Sequence, residues 1–161
     1  MQKQYPWRTG RHCISKIYNH LIFVTKYRRN VFTTGMLSRM QEIFEETCEQ
    51  MDSHLLEFRG EDDHVHLLVE SPPKLALSHL IGKLKGKSSY VLRKEFLSVL
   101  KLKLWGNHLW SPSYCVVSGE GARLDIIKKY LQDQRQPTSE KSALISRREK
   151  GHRNYRAVAP A

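Results

Sequence analysis

Cysteine is scarce in this 161-residue chain, and the three that occur build no framework. Cys13, Cys48 and Cys115 are odd in number, widely spaced and without a CxxC pair, which excludes a disulfide-stapled scaffold and a zinc knuckle. Long apolar runs are missing as well. None approaches the roughly 20 residues needed to cross a bilayer, and the opening stretch MQKQYPWRTGRHCISK lacks the continuous apolar segment of a secretory leader. The expectation from these absences is a soluble protein of the reducing cytoplasm, with no membrane partner.

Acidic residues are in deficit: 16 Asp and Glu face 27 Lys and Arg, a formal net charge of +11. Such an excess favours a polyanion, because each neutralised phosphate releases counterions and adds affinity that does not depend on sequence. The stretch from Lys141 to Arg156 carries Lys141, Arg147, Arg148, Lys150, Arg153 and Arg156 against the single acid Glu149, and the rest of the chain still keeps +6. Neither end shows a basic amphipathic helix with a strongly apolar face, so nucleic acid is the expected partner rather than an anionic membrane.

What is present is an alternation of strand and helix periods. YNHLIFVTKYR (18–28) is β-branched and aromatic, and ends in a basic turn containing Lys26, Arg28 and Arg29. Residues 33–51 repeat apolar positions every three to four, the mark of an amphipathic helix. HLLEFRG and HVHLLVES follow as two strands joined by a GEDD turn. After a proline pair, a second helix runs through Leu77, Leu80, Leu84, Val91 and Phe96, with Gly82 and Gly86 as points for a kink or a close approach. SYCVVS (113–118) reads as a fourth strand, and 121–137 as a last helix stopped by Pro137. This order predicts an α+β fold: a ferredoxin-like antiparallel sheet (β-α-β-β-α-β) with an additional C-terminal helix. Residues 1–137 would form the domain and 138–161 a flexible basic tail.

The chemistry concentrates in two places. In a strand, His64, His66 and Leu68 share one face and Val65, Leu67 and Val69 the other. Two imidazoles on one face suit a partly solvated sheet surface, or they converge on a cation. Asp63, just before them, is placed either for turn chemistry or to orient a histidine. On the last helix, Tyr130 and Gln134 lie four apart on one face. Singly these are ordinary surface residues. Jointly with the histidines they supply two imidazoles and an amide oxygen for a divalent metal, and a phenol for a nucleophile. Tyr27, Tyr90, Tyr114 and Tyr155 have no glutamine four positions on. Arg28, Arg29, Lys83, Lys85 and Lys87 are candidates for phosphate contacts, or else a solvated charged face. Trp105, Trp110 and His108 suit either stacking on unpaired bases or a core.

HVHLLVE resembles the HUH motif, and KKYLQDQ resembles the tyrosine-bearing helix of the single-tyrosine HUH transposases of the TnpA type, which small insertion sequences encode. NHLIFVTKYRRNVF, LKGKSSYVLRKEF and LWSPSYCVVSG are similar to further segments of that family, so the resemblance spans roughly residues 15 to 136. REP-associated tyrosine transposases are close relatives with the same parts. The resemblance implies that His64, His66 and Gln134 hold Mg²⁺ or Mn²⁺. It further implies that Tyr130 attacks the scissile phosphate of single-stranded DNA marked by hairpins, giving a 5′-phosphotyrosine and a free 3′-hydroxyl. It also implies a homodimer in which the tyrosine helix of one subunit completes the site of the other. The alternatives are a REP-associated or domesticated binder of structured single strands that does no chemistry, and a water-using nuclease, for which clustered carboxylates would be expected.

Overall fold

The computed structural model describes residues 5–104, 106–119 and 130–132. The chain falls into two units, residues 1–124 and 125–161. In the first, the short strands β1 (Arg8–Thr9) and β2 (Ile14–Ser15) pair as a hairpin, followed by β3 (Ile17–Val24), a 3-10 turn (Lys26–Arg28), α1 (Thr34–Gln50), β4 (His54–Gly60), β5 (His64–Ser71), α2 (Leu77–Glu95), α3 (Leu97–Lys103) and β6 (Cys115–Ser118). The main sheet has the order β4-β5-β3-β6 with every neighbour antiparallel. This is the ferredoxin-like arrangement the sequence predicted, with the histidine strand β5 in the interior of the sheet.

Local chemistry explains the elements. Thr33 caps α1 by accepting the Met36 backbone N–H at 3.3 Å. Met36, Met40, Ile43, Phe44, Thr47 and Cys48 then form its buried stripe. Thr47 is polar, but its hydroxyl donates to the Ile43 carbonyl at 2.6 Å and is satisfied within the helix. The core gathers this stripe, Leu80, Ile81, Leu84 and Leu92 of α2, and one face of the sheet: Leu21, Phe23, Val65, Leu67 and Val69. Each large apolar side chain fully enclosed there contributes about 1.5–3 kcal/mol. Phe23 meets Phe44 and Trp110 edge to face, at centroid distances of 6.2 and 5.8 Å.

Several expectations are corrected. The first strand stops at Val24, just ahead of the predicted basic turn, where the chain bends into left-handed backbone at Tyr27 (φ 61°) and Arg28 (φ 52°). The hairpin β1–β2 was not foreseen. α2 runs unbroken through Gly82 and Gly86, where an added Cβ would meet nothing within 4 Å. The break comes instead at Phe96 (φ −117°, ψ 32°), which separates α2 from α3. Trp110 is core: 7% exposed, its indole N–H donates to Ser88 Oγ at 3.0 Å. Trp105 and most of the helix predicted over 121–137 lie outside the described residues; residues 130–132 are helical.

Candidate active site

The face of β5 turned away from the core carries His64, His66, Leu68 and Glu70. In register, Val24 stands opposite His64, Ile22 opposite His66 on one side and Arg59 on the other, and His20 opposite Leu68. The start of the strand is clamped: the Asp63 carbonyl accepts from the Thr25 backbone N–H at 2.9 Å, and the Asp62 carbonyl from those of Val31 and Phe32 at 2.7 and 2.9 Å. The histidine strand is therefore tied at its tip to the segment that joins β3 and α1.

Asp63 is 7% exposed and spends both carboxylate oxygens. Oδ1 lies 2.7 Å from His64 Nδ1, and Oδ2 accepts from Arg28 Nε at 2.9 Å, with a second guanidinium nitrogen at 2.8 Å. Burial pushes this carboxyl up, but the hydrogen bonds from His64 and Arg28 outweigh it and hold the group below its ordinary value. The anion can only accept, so His64 Nδ1 is the donor, and Nε2 is the nitrogen through which a neutral His64 could bind a metal. Asp63 thus orients a histidine, one of the two roles open to it in the sequence. Arg28, read there as a phosphate contact, is engaged in this buried pair.

His66 is held differently. Its Nε2 is 3.0 Å from Nδ1 of His20, and the two rings stack nearly parallel at 13° with centroids 5.2 Å apart. His20 is 6% exposed. Burial, with His20 and Arg59 adding to it, pushes the His66 pKa below its ordinary value, which favours the neutral form that a metal requires. Sequence reasoning passed over His20; the one signal was its place in the period-two pattern of YNHLIFV, and its partner is 46 residues away. The donor set fits a divalent cation: two imidazoles on one face of an interior strand, each with one ring nitrogen already hydrogen-bonded and one left over.

Tyr130 is helical and half-buried in the second unit, and Gln134 lies outside the described residues. Lys85 donates to the Ser111 and Ser113 carbonyls at 2.6 and 3.2 Å. Lys87 lies 3.7 Å from Glu46 and 3.3 Å from Gln50 Oε1. Arg29 donates to the Lys103 carbonyl at 3.3 Å, while Lys83 is exposed. Among the described residues, Glu61, Asp63 and His64 also place ligand atoms within 4.8 Å of one another. The Asp63 oxygens there are already committed to Arg28 and His64, which disfavours that trio against the histidine pair.

Comparison with known proteins gives the chain a family. Residues 13–134 match the family described as "Transposase IS200 like". The chain is 33% identical over 130 residues to the ISDra2 transposase TnpA of Deinococcus radiodurans, covering 79% of this chain and 90% of that protein. It is 36% identical over 117 residues to the transposase for insertion sequence element IS200 of Salmonella typhimurium, covering 71% and 76%. A solved Deinococcus radiodurans R1 structure described as a transposase superposes with a TM-score of 0.74 at 28% identity, covering 81% of this chain and 99% of that one. The chain belongs to the IS200-like transposase family.

Proposed function

We propose that this transposase cuts and rejoins single-stranded DNA at hairpin-marked element ends by tyrosine transesterification. The observation that carries the reading is the pair His64 and His66 on one face of an interior strand, with His64 oriented through Asp63 and Arg28. His64 and His66, with Gln134, would hold Mg²⁺ or Mn²⁺. Such a cation supplies Lewis-acid polarisation of the scissile phosphate. The Tyr130 phenol loses its proton, Oη bonds to phosphorus, and the P–O3′ bond breaks, leaving a 5′-phosphotyrosine and a 3′ oxygen that takes up a proton as a free hydroxyl. The phosphodiester energy is kept in the tyrosine ester, so a later 3′-hydroxyl reverses the exchange without ATP. Residues 1–137 make up the catalytic domain in this reading. It operates as a homodimer with Tyr130 and Gln134 completing a partner's histidine pair, while the basic stretch 138–161 adds affinity for the strand.

The test is a denaturing gel of the protein with labelled single-stranded DNA from the flanks of its own gene, with Mg²⁺ or Mn²⁺ and with chelator. The expected product is a detergent-stable protein–DNA adduct that needs the metal and is lost in Tyr130→Phe. Cleavage that persists in Tyr130→Phe and leaves a free 5′-phosphate with no adduct would replace this mechanism with water-based hydrolysis.

A further inference from the structure

His20 is a buried polar group on the histidine face to which the transesterification reading gives no task. It stands opposite Leu68, so its ring reaches diagonally across the β3–β5 pair to meet His66, a separation that aromatic side chains span. Its neighbours along β3 on the same face, Ile22 and Val24, are fully buried and apolar. An imidazole in that row costs desolvation unless its polar atoms are used. Its Nδ1 is used at 3.0 Å from His66 Nε2, and the near-parallel stacking of the rings at 13° limits rotation of both.

Two proton placements satisfy this bond. If His20 Nδ1 carries the proton, the bond takes the lone pair of His66 Nε2. Neutral His66 then carries its own proton on Nδ1 and has no lone pair for a cation. If His66 Nε2 carries it, the bond uses the lone pair of His20, and His66 Nδ1 is left open. We propose that His20 is a positioning residue: it accepts the His66 Nε2–H and fixes the ring and tautomer in which Nδ1 faces the divalent cation. His64 is held at Nδ1 by Asp63 and His66 at Nε2 by His20, so the two imidazoles are restrained from opposite ring positions. The inference rests on reading His66 as a metal ligand.

Two measurements on the full chain test it. The first titrates Mn²⁺ into wild type, His20→Phe, His20→Asn and His66→Ala, following free Mn²⁺ by electron paramagnetic resonance. His20→Phe keeps the stacked ring but not the acceptor, and is expected to weaken Mn²⁺ binding about 10- to 100-fold, as loss of an orienting partner does. His20→Asn places an amide oxygen near the Nδ1 position and is expected to restore most of that loss. Wild-type affinity in His20→Phe overturns the proposal. The second measurement needs no metal and no variant of His20: nitrogen-15 spectra of the histidine-labelled protein, with His66 identified by its loss in His66→Gln. A proton on His66 Nε2 is expected, and a proton on Nδ1 overturns the proposal even if His20→Phe fails to fold. Undiminished Mn²⁺ binding in His66→Ala would instead remove the ligand reading on which the proposal stands.

Discussion

At the scale of single residues, the histidine pair is legible because the two positions are adjacent in period and need only a strand to share a face. Of the groups that hold them, Asp63 is legible as one of two readings because it adjoins His64, whereas Arg28 and His20 are not, because each reaches its partner across more than 30 residues. Arg28 in KYRR reads as a phosphate contact until the backbone bends at Tyr27 and Arg28 and brings its guanidinium to Asp63. Asp63 carries two loads, and substitution separates them. Asp63→Ala leaves the largely buried Arg28 guanidinium without its carboxylate, and urea unfolding is expected to show a loss of about 3 kcal/mol, as for a broken buried ion pair. Asp63→Asn keeps an acceptor and most of the stability, yet gives up the charge that orders His64, so Mn²⁺ affinity should fall roughly 10- to 100-fold in the same titration. The cysteines differ just as sharply. Burial, with Glu45 and Glu49 adding to it, pushes the Cys48 thiol up to about 12, whereas Cys13 is exposed. At pH 8 a disulfide reagent should label Cys13 in the native protein and reach Cys48 only after denaturant is added.

Among the elements, those with strong local signals match the sequence reading most closely. The strands 54–60 and 64–71 are found residue for residue, and the helix expected over 33–51 runs from Thr34 to Gln50. β1 and β2 are two residues each and escape any periodicity test. Their placement rests on Arg8, which grips the buried Glu70 with Nε at 2.6 Å and a second nitrogen at 2.8 Å. The lysines of GKLKGK look alike in sequence but diverge on α2. Lys83 is exposed; burial pushes the Lys85 pKa below its ordinary value, and its ammonium ties the helix to the segment ahead of β6. Lys85→Met should therefore cost about 1–3 kcal/mol by leaving two carbonyls without their donor, while Lys83→Met should stay within about 0.5 kcal/mol. Thermal or urea unfolding of the two variants side by side makes the comparison.

For the whole molecule, the family was legible because its motifs survive as short contiguous runs, and the sheet order followed from the alternation of periods. Net charge acts at this scale. The stretch after Pro137 holds +4 of the +11, so deletion of residues 138–161 should weaken single-strand binding and flatten the dependence of log affinity on log salt, since fewer counterions are released. Fluorescence anisotropy across a salt series measures both, and unchanged slopes would remove any role for the tail in binding. Among the described residues, no helix is long and apolar enough to cross a membrane. The clamp between the β4–β5 turn and the chain after β3 carries a consequence for synthesis. Asp62 and Asp63 receive their hydrogen bonds from Thr25, Val31 and Phe32, 30 or more residues earlier, and His20 waits for His66 across 46 residues. A ribosome that has released β3 and α1 but not yet β5 has exposed His20 and Arg28 without the residues they hold. Such distant pairings form late in folding, so under the proposed mechanism an unfinished chain would lack the oriented histidines that cleavage needs until the sheet has closed.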